Sequence, residues 1–132
     1  MSKQQVLIER ELQSNSKNRI WSIISDTDKL SRWIADEIQE EGKKLHFIWG
    51  DLQNSHDSRM ATIAKKVKYH YIRLKWTDEE DSNAFLELRM EKSNISDNYV
   101  LFITDFAEPD DIDTMEDLWA DNLDRLHQFS GL

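Results

Sequence analysis

The stretch PDDIDTMEDLWADNLDRLHQF, residues 109–129, reads as one long helix. Pro109 suits the first helical position, acids crowd the first turn where they complement the macrodipole, and Gly131 stands just past the end. At the usual rise such a helix is about 30 Å long. With ~100° per residue, Ile112, Met115, Leu118, Trp119, Leu123, Leu126 and Phe129 fall within an arc of roughly 140°, and most of the acids fill the opposite side. One face is buried and the other solvated, so the helix needs an apolar surface of its own length to lie on.

The residues before it supply that surface. Residues 5–13 put Val6, Ile8 and Leu12 on one side and Glu9 and Glu11 on the other, the alternation of a strand with one wet face. Ser14, Asn15 and Ser16 offer N-caps for a short helix carrying Ile20, Trp21, Ile23 and Ile24. Ser25 to Asp28 offer another for a second short helix with Leu30, Trp33 and Ile34. A weak strand at 35–40, Gly42, and a stronger strand KLHFIWG (44–50) follow, with Leu45, Phe47 and Trp49 on one face. The polar loop DLQNSHDS (51–58) precedes strands at 59–67 and 69–76, the second alternating Ile72, Leu74 and Trp76 with Arg73 and Lys75. After the hairpin loop TDEEDSN, Ala84, Leu86, Leu88 and Met90 alternate with Glu87, Arg89 and Glu91. The last strand, YVLFITDF (99–106), is apolar on both faces, which leaves its orientation open.

Strand, two short helices, six consecutive strands and one long helix make an α+β domain over residues 1–132, with no internal repeat or linker. Short connections between the strands imply an antiparallel meander. About seven twisted strands curl around the long C-terminal helix that packs on their inner face. Such a sheet gripping one helix is hard to fill completely with side chains, so a cavity between them is expected.

This order, with its aromatic punctuation, resembles the START-like (SRPBCC, helix-grip) superfamily, especially the homologues of the heat-shock-protein ATPase activator. The residues that carry the resemblance are Ile20, Trp21, Leu30 and Trp33 in the helical pair, Phe47 and Trp49 in the third strand, Ile72 to Trp76 in the fifth, and Trp119, Leu123 and Leu126 in the final helix. The TDFAE segment and the SGL ending look like a compact bacterial START-like subfamily. The resemblance spans essentially the whole chain. It implies a cavity for a lipid, sterol, polyketide or other apolar molecule, in a few members cyclase or hydrolase chemistry, and in some an action on chaperones. The long acidic stretch before the last helix and the scarcity of glycine depart from the activator-like pattern.

Charge and composition exclude other classes. The 26 acids and 17 bases give a formal net charge of -9, which argues against nucleic acid as the main partner. Nine of the acids lie between Asp105 and Asp124, where there is no Lys or Arg, and the rest of the chain is balanced. The acidic helix face is either a solvated surface or a docking surface for a basic protein partner. With no Cys, disulfides, thiolate nucleophiles and zinc-thiolate sites are absent, and a cytoplasmic location is expected. The N-terminal residues carry no apolar signal segment and no run approaches the ~18 residues of a membrane span.

The chemistry-bearing patterns are few. His46, His56, His70 and His127 form no i, i+4 pair, and Asp110, Asp111 and Asp113 lack the glycine and terminal Glu of a calcium loop, so no metal site and no cofactor is expected. No GxSxG elbow or phosphate-cradling glycine loop is present, and no catalytic residue is assigned. Asp105, at the junction of last strand and helix, is the one candidate for acid–base work; its simpler role is to shape that turn. Two polar residues fall in apolar phase: Asn122 in the helix's apolar arc, and Arg10 in line with Val6 and Ile8. They either bond a strand group or water and reach the sheet edge, or orient a ligand's polar head.

Trp33, Trp49 and Trp76, with Asn122 and Arg10, are the expected ligand contacts, Trp33 foremost because helix-grip domains have their cavity mouth near the second short helix. The leading expectation is non-enzymatic binding of a hydrophobic small molecule between sheet and C-terminal helix. The alternative is a protein-interaction module, chaperone-linked by resemblance, that uses the acidic helix face; a cavity enzyme of cyclase or hydrolase type comes third.

Overall fold

The computed structural model describes residues 3–50 and 56–132. Seven strands are present: β1 (Gln4–Glu11), β2 (Glu37–Glu41), β3 (Lys44–Gly50), β4 (His56–Val67), β5 (Tyr71–Trp76), β6 (Leu86–Lys92) and β7 (Tyr99–Ala107). Helices α1 (Lys17–Ser25) and α2 (Thr27–Leu30) follow β1, and a 3₁₀ turn at Pro109–Asp111 leads into α3 (Ile112–Ser130). All pairings are antiparallel, in the order β1-β7-β6-β5-β4-β3-β2. Strands β2 to β7 form the expected meander. The first strand closes the far edge against the last, and α1 and α2 carry the chain from one edge of the sheet to the other.

Pairing with β1 settles the orientation of β7. Val6 lies opposite Asp105, Ile8 opposite Ile103 and Arg10 opposite Leu101. Leu101 and Ile103 are fully buried on the face covered by the helices, while Val100, Phe102 and Phe106 are only half-buried on the other. The second apolar row is accounted for by the outer face itself, where Phe106 meets Phe85 edge-on at 5.0 Å.

The core lies between the sheet and the helices. Leu12, Ile20, Ile24, Leu30, Phe47 and Leu88 pack with Trp119, Leu123 and Leu126 of α3. Full burial of a Leu side chain contributes roughly 1.5–3 kcal/mol, so Leu123 and Leu126, with Trp119, are the main anchors of α3 on the sheet. Asp113, Glu116, Asp117, Asp121 and Asp124 are all exposed. Gly131 ends the helix at φ 76°, and its N–H donates to the His127 carbonyl at 2.7 Å, the left-handed cap that a residue without Cβ adopts freely.

Strands β1 and β2 are shifted by one or two residues from the expected 5–13 and 35–40, and four other boundaries differ in ways that matter more. Pro109 opens a 3₁₀ turn rather than α3 itself. Trp33 lies in the turn after α2 and not on that helix. Tyr69, expected to begin a strand, has φ 66° and belongs to the turn between β4 and β5. Strand β4 begins at His56, inside the expected loop 51–58, of which residues 51–55 lie outside the described residues.

Candidate functional site

A cleft of about 610 Å³ opens between the N-terminal half of α3 and one end of the sheet. Its helix wall is Met115, Leu118, Trp119 and Asn122. The facing sheet wall comes from Trp49 on β3, Asp57 and Arg59 on β4, and Trp76 at the end of β5. Asp105 and Ala107 at the end of β7 form the floor, and Glu108 and Asp111 edge the mouth. Leu118 remains 51% exposed there, an apolar side chain that the fold leaves at the opening.

Strand register explains the sheet wall. Trp49 is paired with Asp57, Phe47 with Arg59, and Ala61 with Trp76, so these residues share the helix-side face. The rings interlock: Phe47 meets Trp76 edge-on at 5.0 Å and stacks on Trp49 at 6.0 Å. The Trp49 indole N–H donates to the Ile34 carbonyl at 2.8 Å, which fixes its plane. The Arg59 guanidinium lies 4.2 Å from the Trp76 ring centroid and makes two hydrogen bonds to Asp78, at 2.7 and 3.1 Å. Arg59 therefore reaches the cleft already neutralised, and its hydrogen bond holds the Asp78 carboxyl below the usual carboxylate range.

Asp105 is the one carboxylate set into the floor. Its Oδ2 accepts the Trp119 indole N–H at 2.9 Å and its Oδ1 accepts the Phe106 backbone N–H at 2.8 Å. Burial raises its pKa above the ordinary Asp value, against the pull of those two donors. Asp105 thus both shapes the strand-to-helix junction and faces the cleft. Nearby, burial works to raise the Glu79 pKa, but the Lys3 ammonium at 2.6 Å, the Asp81 backbone N–H and the Arg59 charge together hold the carboxyl below its usual range.

Of the residues expected to contact a ligand, Trp49, Trp76 and Asn122 line this cleft, and Trp33 and Arg10 do not. Trp33 is 0% exposed; its indole N–H donates to the Ile23 carbonyl at 3.2 Å, and its ring meets Trp119 edge-on at 6.2 Å. It backs the wall that Trp119 presents. Arg10 faces the helix side but sits four residues along β1 from the Val6–Asp105 pair, about 13 Å away, half-buried near the opposite end. Asn122 is 2% exposed, as its helical phase required. Its amide oxygen accepts from Arg125, one turn on along α3, instead of from a strand group.

Sequence reasoning placed Trp119 in the core and passed over Arg59, Asp57 and Glu79. The local signal for Arg59 was its phase with Ala61, and that phase means nothing until β4 is paired with β3. Among the described residues no group of three His, Asp or Glu is placed to hold a metal ion, and no helix is long and apolar enough to cross a membrane.

A family model described as START-like superfamily domain matches residues 1–132. Among solved structures, BfR322 from Bacteroides fragilis is 33% identical, with a TM-score of 0.63, and the match covers 98% of this chain and 92% of that one. CalU16 from Micromonospora echinospora is 19% identical, with a TM-score of 0.68, over 96% of this chain and 74% of its own. The Aha1 dimer from Colwellia psychrerythraea is 12% identical with a TM-score of 0.67, over 91% and 90%; these two likenesses concern the fold. No curated protein matches the sequence. The antiparallel seven-stranded sheet gripping a long C-terminal helix and the whole-chain family match agree, and the chain belongs to the START-like superfamily.

Proposed function

We propose that this protein binds a hydrophobic, lipid-like small molecule in the cleft between the sheet and α3, without chemical conversion. The observation that carries this reading is the cleft of about 610 Å³ walled by Trp49, Trp76, Trp119, Met115 and Leu118. It is roughly the size of a drug-like or lipid-like ligand's pocket, with apolar aromatic walls and a rim of charged side chains. START-like domains typically bind hydrophobic ligands, which is the expectation that membership brings. Among the hydrogen bonds of the described residues, none joins Ser58, the hydroxyl in the lining, to a carboxylate or imidazole, so binding is the simpler use of the cleft. Native mass spectrometry of the purified chain tests this: a co-purifying apolar molecule, lost when Trp76 is replaced by Asp, is the expected result. Unliganded protein that also fails to take up any apolar probe refutes it.

Asn122 is the buried polar group on the helix wall, and Asn122→Leu separates fold from function. Its partner Arg125 is an exposed residue able to turn to water, so the variant is expected to be as stable as the parent, or slightly more so. Affinity for polar-headed apolar ligands should drop by about 1 kcal/mol or more, because their head groups are then desolvated without a partner. Thermal melts and titration calorimetry read the two effects separately. Loss of several kcal/mol of stability would instead assign Asn122 to the architecture.

A second reading is favoured by the exposed acids Asp113, Glu116, Asp117, Asp121 and Asp124, which make one continuous acidic face on α3 and form no ion pair among the described residues. If this face docks a basic protein, capture of that partner should weaken steeply between low and physiological salt, and with charge reversal at Asp117 and Asp121. Pull-downs indifferent to salt would leave it a solvated surface.

A further inference from the structure

We propose that the cleft selects apolar molecules carrying a protonated amine or another compact cation, with Asp105 as counter-ion and the Trp49 and Trp76 indoles as walls. This rests on the cleft being a ligand site and names the class of ligand. The charges around the opening are unbalanced. Its two bases are already matched: Lys3 pairs with Glu79 at 2.6 Å, and Arg59 with Asp78 at 2.7 Å. The remaining acids of the lining, Asp57, Asp105, Glu108 and Asp111, have no ion-pair partner among the described residues. The cleft is left net negative.

Asp105 is the member of that set that matters. A carboxylate largely withdrawn from water is ordinarily paired with a cation or a metal ion, and Asp105 is half-buried at the floor of the cleft. Among the described residues Asp105 accepts from two neutral donors, the Trp119 indole and the Phe106 amide, one on each oxygen, and Arg59 and Lys3 act on it only at longer range, without an ion-pair contact. Each carboxylate oxygen has a second lone pair, and Asp105 lines the cleft, so capacity to accept remains. The missing cation is the group that a ligand would bring. Desolvation already raises the Asp105 pKa, and a bound ammonium would relieve that cost. The walls suit the same ligand, since an indole face attracts a cation and Trp76 already holds the Arg59 guanidinium at 4.2 Å. A carboxylate-headed ligand would meet the opposite field.

The test is calorimetry on the full chain at pH 7 with decylamine, decanol and decanoate, each below its self-association limit. Decylamine is expected to bind about tenfold or more tighter than decanol, with decanoate weakest. In Asp105→Asn, where the amide still accepts from Trp119, the amine-to-alcohol ratio should collapse to less than about threefold. Amine affinity no greater than that of decanol, tightest binding by decanoate, or an amine preference that survives Asp105→Asn overturns the proposal while leaving apolar binding intact. If none of the three binds, the ligand-site reading itself fails. Should Asp105→Asn not fold, Trp76→Leu replaces it: amine affinity should fall at least about threefold more than decanol affinity, and equal losses overturn the proposal.

Discussion

Trp33→Ala is expected to destabilise the fold by about 3–5 kcal/mol, the range for truncating a large buried aromatic side chain. The ring is fully buried, its N–H is satisfied by the Ile23 carbonyl, and its edge supports Trp119 from behind the cleft. Truncation removes that contact and leaves a void that α2 and the following turn are too short to collapse into. A single domain of this size has about 5–15 kcal/mol of total stability, so the variant sits close to unfolding at moderate temperature. Denaturant titration against the parent measures the loss. Trp76→Ala at the half-buried sheet wall should cost less stability while reducing uptake of apolar probes. A Trp33→Ala protein of parental stability that has lost only ligand affinity would show that Trp33 is a ligand contact after all.

Trp119→Phe is the second large effect, because it deletes one donor from a half-buried carboxylate. The indole N–H to Asp105 Oδ2 bond at 2.9 Å is a hydrogen bond to a charged group, and its loss is expected to cost about 1.5–3 kcal/mol. The sign of the pH dependence follows from the raised pKa of Asp105. In the parent, the folded state holds this proton to higher pH than the unfolded chain. The contribution of Asp105 to stability is therefore most favourable below the unfolded-state pKa and declines as pH rises through the folded one. Losing the indole donor raises the folded pKa further. The penalty in Trp119→Phe should then be largest at neutral pH and above, and shrink in mildly acidic solution where the carboxyl is protonated. Chemical denaturation of both proteins across that range checks it; a penalty independent of pH would mean that the indole serves packing alone.

These two tryptophans also show where sequence and structure part company. The apolar arc of residues 109–129 is a property of helical phase, so the burial of Trp119, Leu123, Leu126 and even the polar Asn122 was legible without coordinates. The meander was legible too, because alternation and short polar turns are local signals, and the αL cap at Gly131 follows from a residue type. That order of elements, with its aromatic residues, carried the resemblance to the helix-grip superfamily, and the whole-chain family match shows the membership.

The cleft was not legible in the same way. Asp57, Arg59, Trp76 and Asp105 come from three strands and meet only through cross-strand register and the position at which α3 crosses the sheet. Trp33 and Arg10 carried the right residue type and phase. They missed the site because phase gives the face on which a side chain lies and not its position along the strand or behind another ring. Strand β7 was apolar on both sides, so its alternation named no inner face. The antiparallel pairing with β1 decided it, turning Asp105 inward beside Trp119, where burial raises its pKa against the pull of two neutral hydrogen bonds.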